Sequence, residues 1–166
     1  MKKTTIGREV SVDIEGIASG IPAKVDTGAD GSAIWASRIR MDKEGYLHFY
    51  LFDKSSPFYT GQEIVTKDYT VTEVKSASGH VLIKFCPYFK IKLAGKTIRV
   101  RFGLSDRSKH RYPILIGRRT ISGKFLVDVS KDEGLIPLGS HRSDRLRDEL
   151  EVDPYEFYKK YYLKED

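Results

Sequence analysis

The chain has 166 residues, of which 40% are hydrophobic and 31% charged, and its formal net charge is +6. That size holds one domain with room for an appended terminal element, and it is large enough to bury a core. Cys86 is the lone cysteine, which excludes an internal disulfide, and the lack of asparagine excludes N-glycosylation. No run has the length of a membrane span or the make-up of a secretory leader, so a cytoplasmic protein making no membrane contact is expected.

In chain order, the first informative stretch is AKVDTGADGSAIW, residues 23–35. An apolar strand ends at Val25, and the chain then presents Asp26, Thr27, Gly28, Ala29 and a second acid, Asp30. YLHFYLF and YTVTEVKS read as further strands. Residues 36–70, which include FDKSSPFYTGQE, read as an insertion with no assigned role. A turn at SASGH precedes another strand candidate, HVLIKF. The clearest hairpin follows: Phe89, Ile91 and Leu93 alternate with lysines, a turn falls at Ala94-Gly95-Lys96, and Ile98, Val100 and Phe102 alternate with arginines. YPILIG is a short apolar run, a brief turn of helix is expected after Gly117, and KFLVDV is a final strand. In the tail, Ser143 is placed to cap a helix, Leu146 and Leu150 are four apart, and Pro154 opens a second helix. The fold expected is mainly β, a barrel over residues 1–138, with a helical C-terminal extension over residues 139–166.

Charge is spread unevenly. From Lys84 to Lys124, twelve Lys or Arg stand against one acid, Asp106. Such an excess biases the surface toward anionic partners, or else forms the solvated faces of strands.

Peptide hydrolysis by two carboxyl groups needs one ionised, to take a proton from water, and one protonated, to hydrogen-bond the scissile carbonyl. Two carboxyls about 3 Å apart reach that state by themselves, because both cannot ionise together. Each must sit on a rigid turn with little bulk beside it. The sequence VDTGA meets those demands: Asp26 emerges at a strand end, Thr27 offers a hydroxyl to lock the turn, and Gly28 has no Cβ to obstruct a neighbour. The competing reading of Asp26 is a turn-stabilising side chain bonded to its own backbone.

About ninety residues later stands YPILIGRR. The pair of motifs resembles the retropepsin group of aspartic proteases, in which a hydrophobic-D-[TS]-G-A-D loop is followed by an apolar-apolar-G-R segment. The resemblance implies an acid-protease barrel in which the Ile114–Ile116 run backs the catalytic loop and a short helix follows Ile-Gly-Arg. It implies Asp26, Thr27 and Gly28 as the catalytic triplet, supported by Ala29, Asp30, Ile116, Gly117 and Arg118, with Arg118 and Asp30 forming a buried ion pair. Together, AKVDTGADGSAIWA, VKSASGH, LSDRSKHRYPILIGRRTI and FLVDV resemble a bacterial retropepsin-like subfamily often labelled ATP-dependent zinc proteases. Some members are linked to ribosomal-protein modification and trim glutamate tails added by an ATP-grasp ligase. The zinc and ATP of that label find no counterpart in sequence: H-E-x-x-H and a phosphate-binding loop are both lacking, and His48, His80, His110 and His141 lack ligand spacing. No metal and no cofactor are therefore expected.

Only one D-[TS]-G triplet occurs, so the resemblance implies a homodimer in which each copy supplies one Asp26. It also implies a flap, for which Ser76, Ala77, Ser78, Gly79 and His80 are the candidates, an ordinary hairpin turn being the alternative. The substrate expected is a peptide or protein, with an acidic tail favoured because Arg99, Arg101, Arg107, Lys109 and Arg111 can steer it. Nucleic acid is not expected in that case. The alternative from another class is a catalytically silent retropepsin-fold module binding an acidic protein or ribosomal RNA. Its docking element would be the aromatic tail of Tyr155, Phe157, Tyr158, Tyr161 and Tyr162, for which packing on the barrel or on a dimer mate is the plainer reading. Cys86 reads as a buried strand residue.

Overall fold

The computed structural model describes residues 2–75, 78–135 and 141–163. They fall in two compact units, Met1–Leu135 and Ile136–Asp166. The first is built of strands β1 (Thr4–Ile6), β2 (Glu9–Ile14), β3 (Ala18–Val25), β4 (Ser32–Met41), β5 (Leu47–Leu51), β6 (Glu63–Thr66), β7 (Tyr69–Lys75), β8 (Val81–Leu93), β9 (Lys96–Ser105), β10 (Ile114–Ile116) and β11 (Phe125–Val127). One short helix, α1 (Arg118–Ile121), stands between the last two strands.

Alternation drives the barrel. Val10, Val12 and Ile14 of β2, Ile21 and Ala23 of β3, and Ile91 and Leu93 of β8 all point into one core, together with Phe49, Phe102, Ile114 and Ile116. The strands pair in the order β10-β3-β2-β8-β9-β4, and β10 also pairs β4, which closes the ring at six strands. β10 is the closing stave: Ile114 and Ile116 lie opposite Ala23 and Val25 of parallel β3, while Ile114 also faces Ile34 of antiparallel β4. Closure leaves these strands no free edge on the barrel wall.

The β8–β9 hairpin follows the sequence reading, with Leu93 opposite Lys96 across a two-residue turn. Ala94 and Gly95 both take positive φ (46° and 78°), the geometry whose twist matches the flanking strands. The segments read as HVLIKF and as the first hairpin strand are one continuous β8. Its first half, Val81–Pro87, pairs β7, whereas Tyr88–Leu93 pairs β9. Pro87 stands at this change of partner, where its missing N–H costs least.

The stretch 36–70 is an antiparallel arm. β4 continues past the barrel to pair β5, and β5 pairs β6. Leu47, Phe49, Leu51 and Phe52 are buried, and Trp35 meets Phe52 edge-on at 6.1 Å, so the arm shares the barrel's core. Arg40 reaches Glu63 and His48 Nδ1, each at 2.9 Å, while His48 Nε2 contacts Asp42 at 2.9 Å. Hydrogen bonds from His48 and Arg40 hold the Asp42 and Glu63 carboxyls, respectively, below their ordinary values.

In the second unit, α2 (His141–Val152) and α3 (Pro154–Tyr161) meet through Glu149, whose Oε2 accepts from Lys160 Nζ at 2.9 Å and Tyr161 Oη at 2.7 Å. Asp153 caps α3, accepting from the backbone N–H of Tyr155 and Glu156, and Pro154 opens the helix as its position suggests. Ser143, read as the start of the first tail helix, lies inside α2, which already begins at His141. Tyr155, Tyr158 and Tyr162 follow one another along α3 with ring centroids 6.3 and 5.9 Å apart. No helix among the described residues is long and apolar enough to cross a membrane.

Candidate active site

β3 delivers Asp26 to the end of the barrel. Val25 is buried, and the Asp26 N–H donates to Ile116 O at 2.9 Å, so the parallel pairing with β10 continues to the carboxylate-bearing residue. The side chain then turns the loop. Asp26 Oδ1 accepts from the backbone N–H of Gly28 at 2.9 Å and of Ala29 at 3.2 Å, whereas Oδ2 makes no hydrogen bond among the described residues. A Cβ at Gly28 would lie 3.3 Å from Asp26 Oδ1, a tight approach that glycine avoids. Thr27 is exposed and its hydroxyl has no partner within the described residues.

The loop is fastened from behind by the segment that the sequence pairs with it. The N–H groups of Arg118 and Arg119, at the start of α1, donate to Ala29 O (2.8 Å) and Asp30 O (3.1 Å). Gly117 is needed for space, since a Cβ there would sit 2.1 Å from Gly31 O and 2.9 Å from Ala29 O. Its N–H donates to Ser32 Oγ at 3.0 Å, and that buried hydroxyl shares a 2.7 Å hydrogen bond with Thr120. Arg118 does pair with Asp30, but the expected burial is absent: the two side chains are 58% and 69% exposed. Within one chain this is a solvent-screened surface pair, and the backbone bonds hold the loop.

β7 and β8 form the hairpin that carries the candidate flap, with Lys75 opposite Val81. Ser76 and Ala77 lie outside the described residues. Ser78, Gly79 and His80 are exposed and lead into β8, with Gly79 at φ +82°. Val71, Val81, Leu82 and Ile83 are apolar yet exposed on the same hairpin.

A groove of about 470 Å³ runs between this hairpin and the chain just beyond the loop, with Ala29–Ala33 on one side and Thr72–Lys75 on the other. Lys84, Cys86, Arg101 and Arg107 also line it. Of the arginines and lysines singled out from sequence, only Arg101 and Arg107 reach this groove. Arg99 instead pairs with Asp68 and lies over the Tyr88 ring at 4.0 Å; Lys109 and Arg111 are exposed elsewhere on the surface. Cys86 is buried, and that burial pushes its thiol up, away from nucleophilic character. His80 and His110 are exposed, while His48 is bound into the arm. Among the described residues, no three His, Cys, Asp or Glu side chains gather as a metal site requires.

Two features escaped the sequence. The Ser32–Thr120 pair joins residues 88 apart, with no local signal to announce it. Glu9, only 2% exposed, accepts from Tyr112 Oη at 2.7 Å and from the Leu135 N–H at 2.8 Å. By alternation with Val10 it belongs on the outer face, and it becomes buried because later chain covers that face.

A closed six-stranded barrel with Asp-Thr-Gly at the end of β3, backed by Ile-Gly-Arg, defines a single-lobed acid-protease fold. Residues 5–136 match the family described as RimB-like, retropepsin-like aspartic endopeptidase RimB, and the chain belongs to that family. Proteins named probable alpha-L-glutamate ligase from Shewanella halifaxensis and Shewanella pealeana are each 32% identical over 124 residues. The match takes in 69% of this chain but only 26% of those relatives, so it spans about a quarter of their length. A Legionella pneumophila protein of unknown function (DUF785) has a crystal structure similar in fold, with TM-score 0.62 and 23% identity, covering 81% of this chain and 100% of that one.

Proposed function

We propose that the protein is an aspartic endopeptidase that works as a homodimer, each copy supplying one Asp26, and that it trims acidic, glutamate-rich tails. The observation that carries the reading is the state of Asp26. One carboxylate oxygen is held in place by two backbone N–H groups while the other has no partner among the described residues. Asp153 uses one oxygen in the same way merely to cap α3, so what sets Asp26 apart is its place, at the end of β3 with its N–H on Ile116 O and on a loop fastened by α1. Support from behind, through Gly117 and α1, supplies the rigidity such a group needs.

In the dimer, two Asp26 carboxyls about 3 Å apart would share one proton and titrate as a unit. The ionised one takes a proton from water, and the resulting hydroxide adds to the scissile carbonyl carbon. The protonated one gives its proton to the carbonyl oxygen, forming a gem-diol. Transfer of a proton to the amide nitrogen then lets the C–N bond break, releasing a carboxyl and an amine end. General acid–base assistance of this kind contributes about 10²–10⁴-fold. The acidic substrate is supported by the cationic groove and by the relatives, in which a domain like this one forms part of chains named as glutamate ligases.

Asp26→Asn is the direct test, because asparagine keeps the Oδ1 acceptor of the turn and removes only the ionisable group. Incubation with a glutamate-tailed peptide followed by mass spectrometry should show cleavage by the unaltered protein and none by the variant, with melting temperature unchanged. Light scattering should give twice the 18.9 kDa chain mass. Equal cleavage by the variant would sink the peptidase reading.

A further inference from the structure

Among the described residues, Lys84 and Arg107 in the groove have only neutral partners. Lys84 Nζ donates to Ser105 Oγ at 2.7 Å, and Arg107 Nε donates to Tyr112 O at 3.0 Å. Both residues are half-buried. Burial pulls both side chains below their ordinary values, and the charge of Arg107 lowers Lys84 further. The acids that share the groove lie elsewhere in it: Asp30 is engaged by Arg118, and Glu73 is on the exposed face of β7. The chain therefore holds two mutually repelling, partly desolvated cations with no carboxylate among the described residues paired to them. That arrangement opposes folding and marks a site shaped for something else. An anion lying between them would answer both charges.

The groove adjoins the chain that follows Asp26, so a peptide lying across the loop can lay a side chain into it. We propose that Lys84 and Arg107 form a specificity subsite that receives the carboxylate of an acidic substrate side chain close to the scissile bond. This rests on the peptidase reading and assigns its selectivity to two residues. A polynucleotide fits the groove less well. No aromatic ring lines it for base stacking.

The test separates binding from cleavage. Full-length Asp26→Asn protein is titrated with fluorescein-labelled oligoglutamate and with oligoglutamine of equal length, and anisotropy is read. Oligoglutamate is expected to bind at least about tenfold more tightly, the scale of a charge-assisted hydrogen bond gained or lost. That preference should vanish when Lys84→Met and Arg107→Met are added and survive in Lys84→Arg, which keeps the charge. Equal binding of the two peptides overturns the subsite, as does a preference undiminished in the double methionine variant. Tighter binding of an oligoribonucleotide of matched charge also overturns it, in favour of a phosphate site. Cleavage by the unaltered protein shows which proposal has failed: Asp26-dependent cleavage indifferent to glutamate or glutamine removes the subsite alone, whereas cleavage that persists in Asp26→Asn removes the peptidase reading and leaves the binding result to stand.

Discussion

The loop of residues 26–30 and the β7–β8 hairpin flank one groove and are built in opposite ways. The loop is short, and its backbone is fastened by chain far away in sequence: Ile116 O takes the Asp26 N–H, and the N–H groups of Arg118 and Arg119 reach Ala29 and Asp30. The hairpin is fastened instead by side chains near its base: Tyr69 Oη to Gly45 O, Arg101 to Thr70 Oγ1 and Lys84 to Ser105 Oγ. Among the described strands β7 pairs in the sheet only with β8, its neighbour in sequence, and the pair exposes Val71, Leu82 and Ile83. One wall is fixed by the closure of the whole barrel, while the outer half of the other, Glu73–Lys75 with Val81–Ile83, is joined by its own ladder and so opens at lower cost. A peptide site needs both, a rigid side for the reacting group and a yielding side to admit chain.

The largest break in this contrast should come from Gly117→Ala. The added methyl collides with Gly31 O and Ala29 O, both backbone atoms, so the loop must leave α1 or the barrel must shift. A loss above about 3 kcal/mol is expected in denaturant titration; a variant melting like the parent would show that the loop's backing is soft. Thr120→Val should have an intermediate effect. It strips buried Ser32 of its hydroxyl partner, for a cost of about 1–3 kcal/mol. A cycle with Ser32→Ala should show strong coupling, and simple additivity would mean the two hydroxyls do not act as one brace. Ile83→Thr should change stability least, within about 0.5 kcal/mol, because the side chain is 62% exposed and threonine suits a strand. A drop of several kcal/mol there would mean the outer half of the hairpin is braced after all.

The rigid wall was legible in the sequence and much of the yielding one was not. Asp26, Thr27, Gly28, Gly117 and Arg118 are short-range patterns of distinctive residues, and the strict alternation from Phe89 to Phe102 can only be a hairpin. The continuity of β8 was hidden because Pro87 looks like a strand end, although here it marks a change of partner. Glu9 and Lys84 looked like ordinary outward-facing residues, since burial by distant chain leaves no trace in local periodicity. The exposure of the Asp30–Arg118 pair was equally hidden, because sequence can name two partners without revealing what covers them. The role of 36–70 emerged only with β5 and β6, whose buried Leu47 and Phe49 extend the barrel's core.

The stave Ile114–Ile116 has a consequence for the order of events during synthesis. Its ladder partners in β3, Ala23 to Val25, leave the ribosome roughly ninety residues before it does. Until that late segment arrives, the growing polypeptide has nothing to complete its ring and nothing to brace the turn at Asp26. Contacts of such long separation form slowly. The corner at Asp26 is therefore among the last parts to take shape, and a nascent chain that stops short of Ile116 carries the aspartate without the scaffold that fixes its loop.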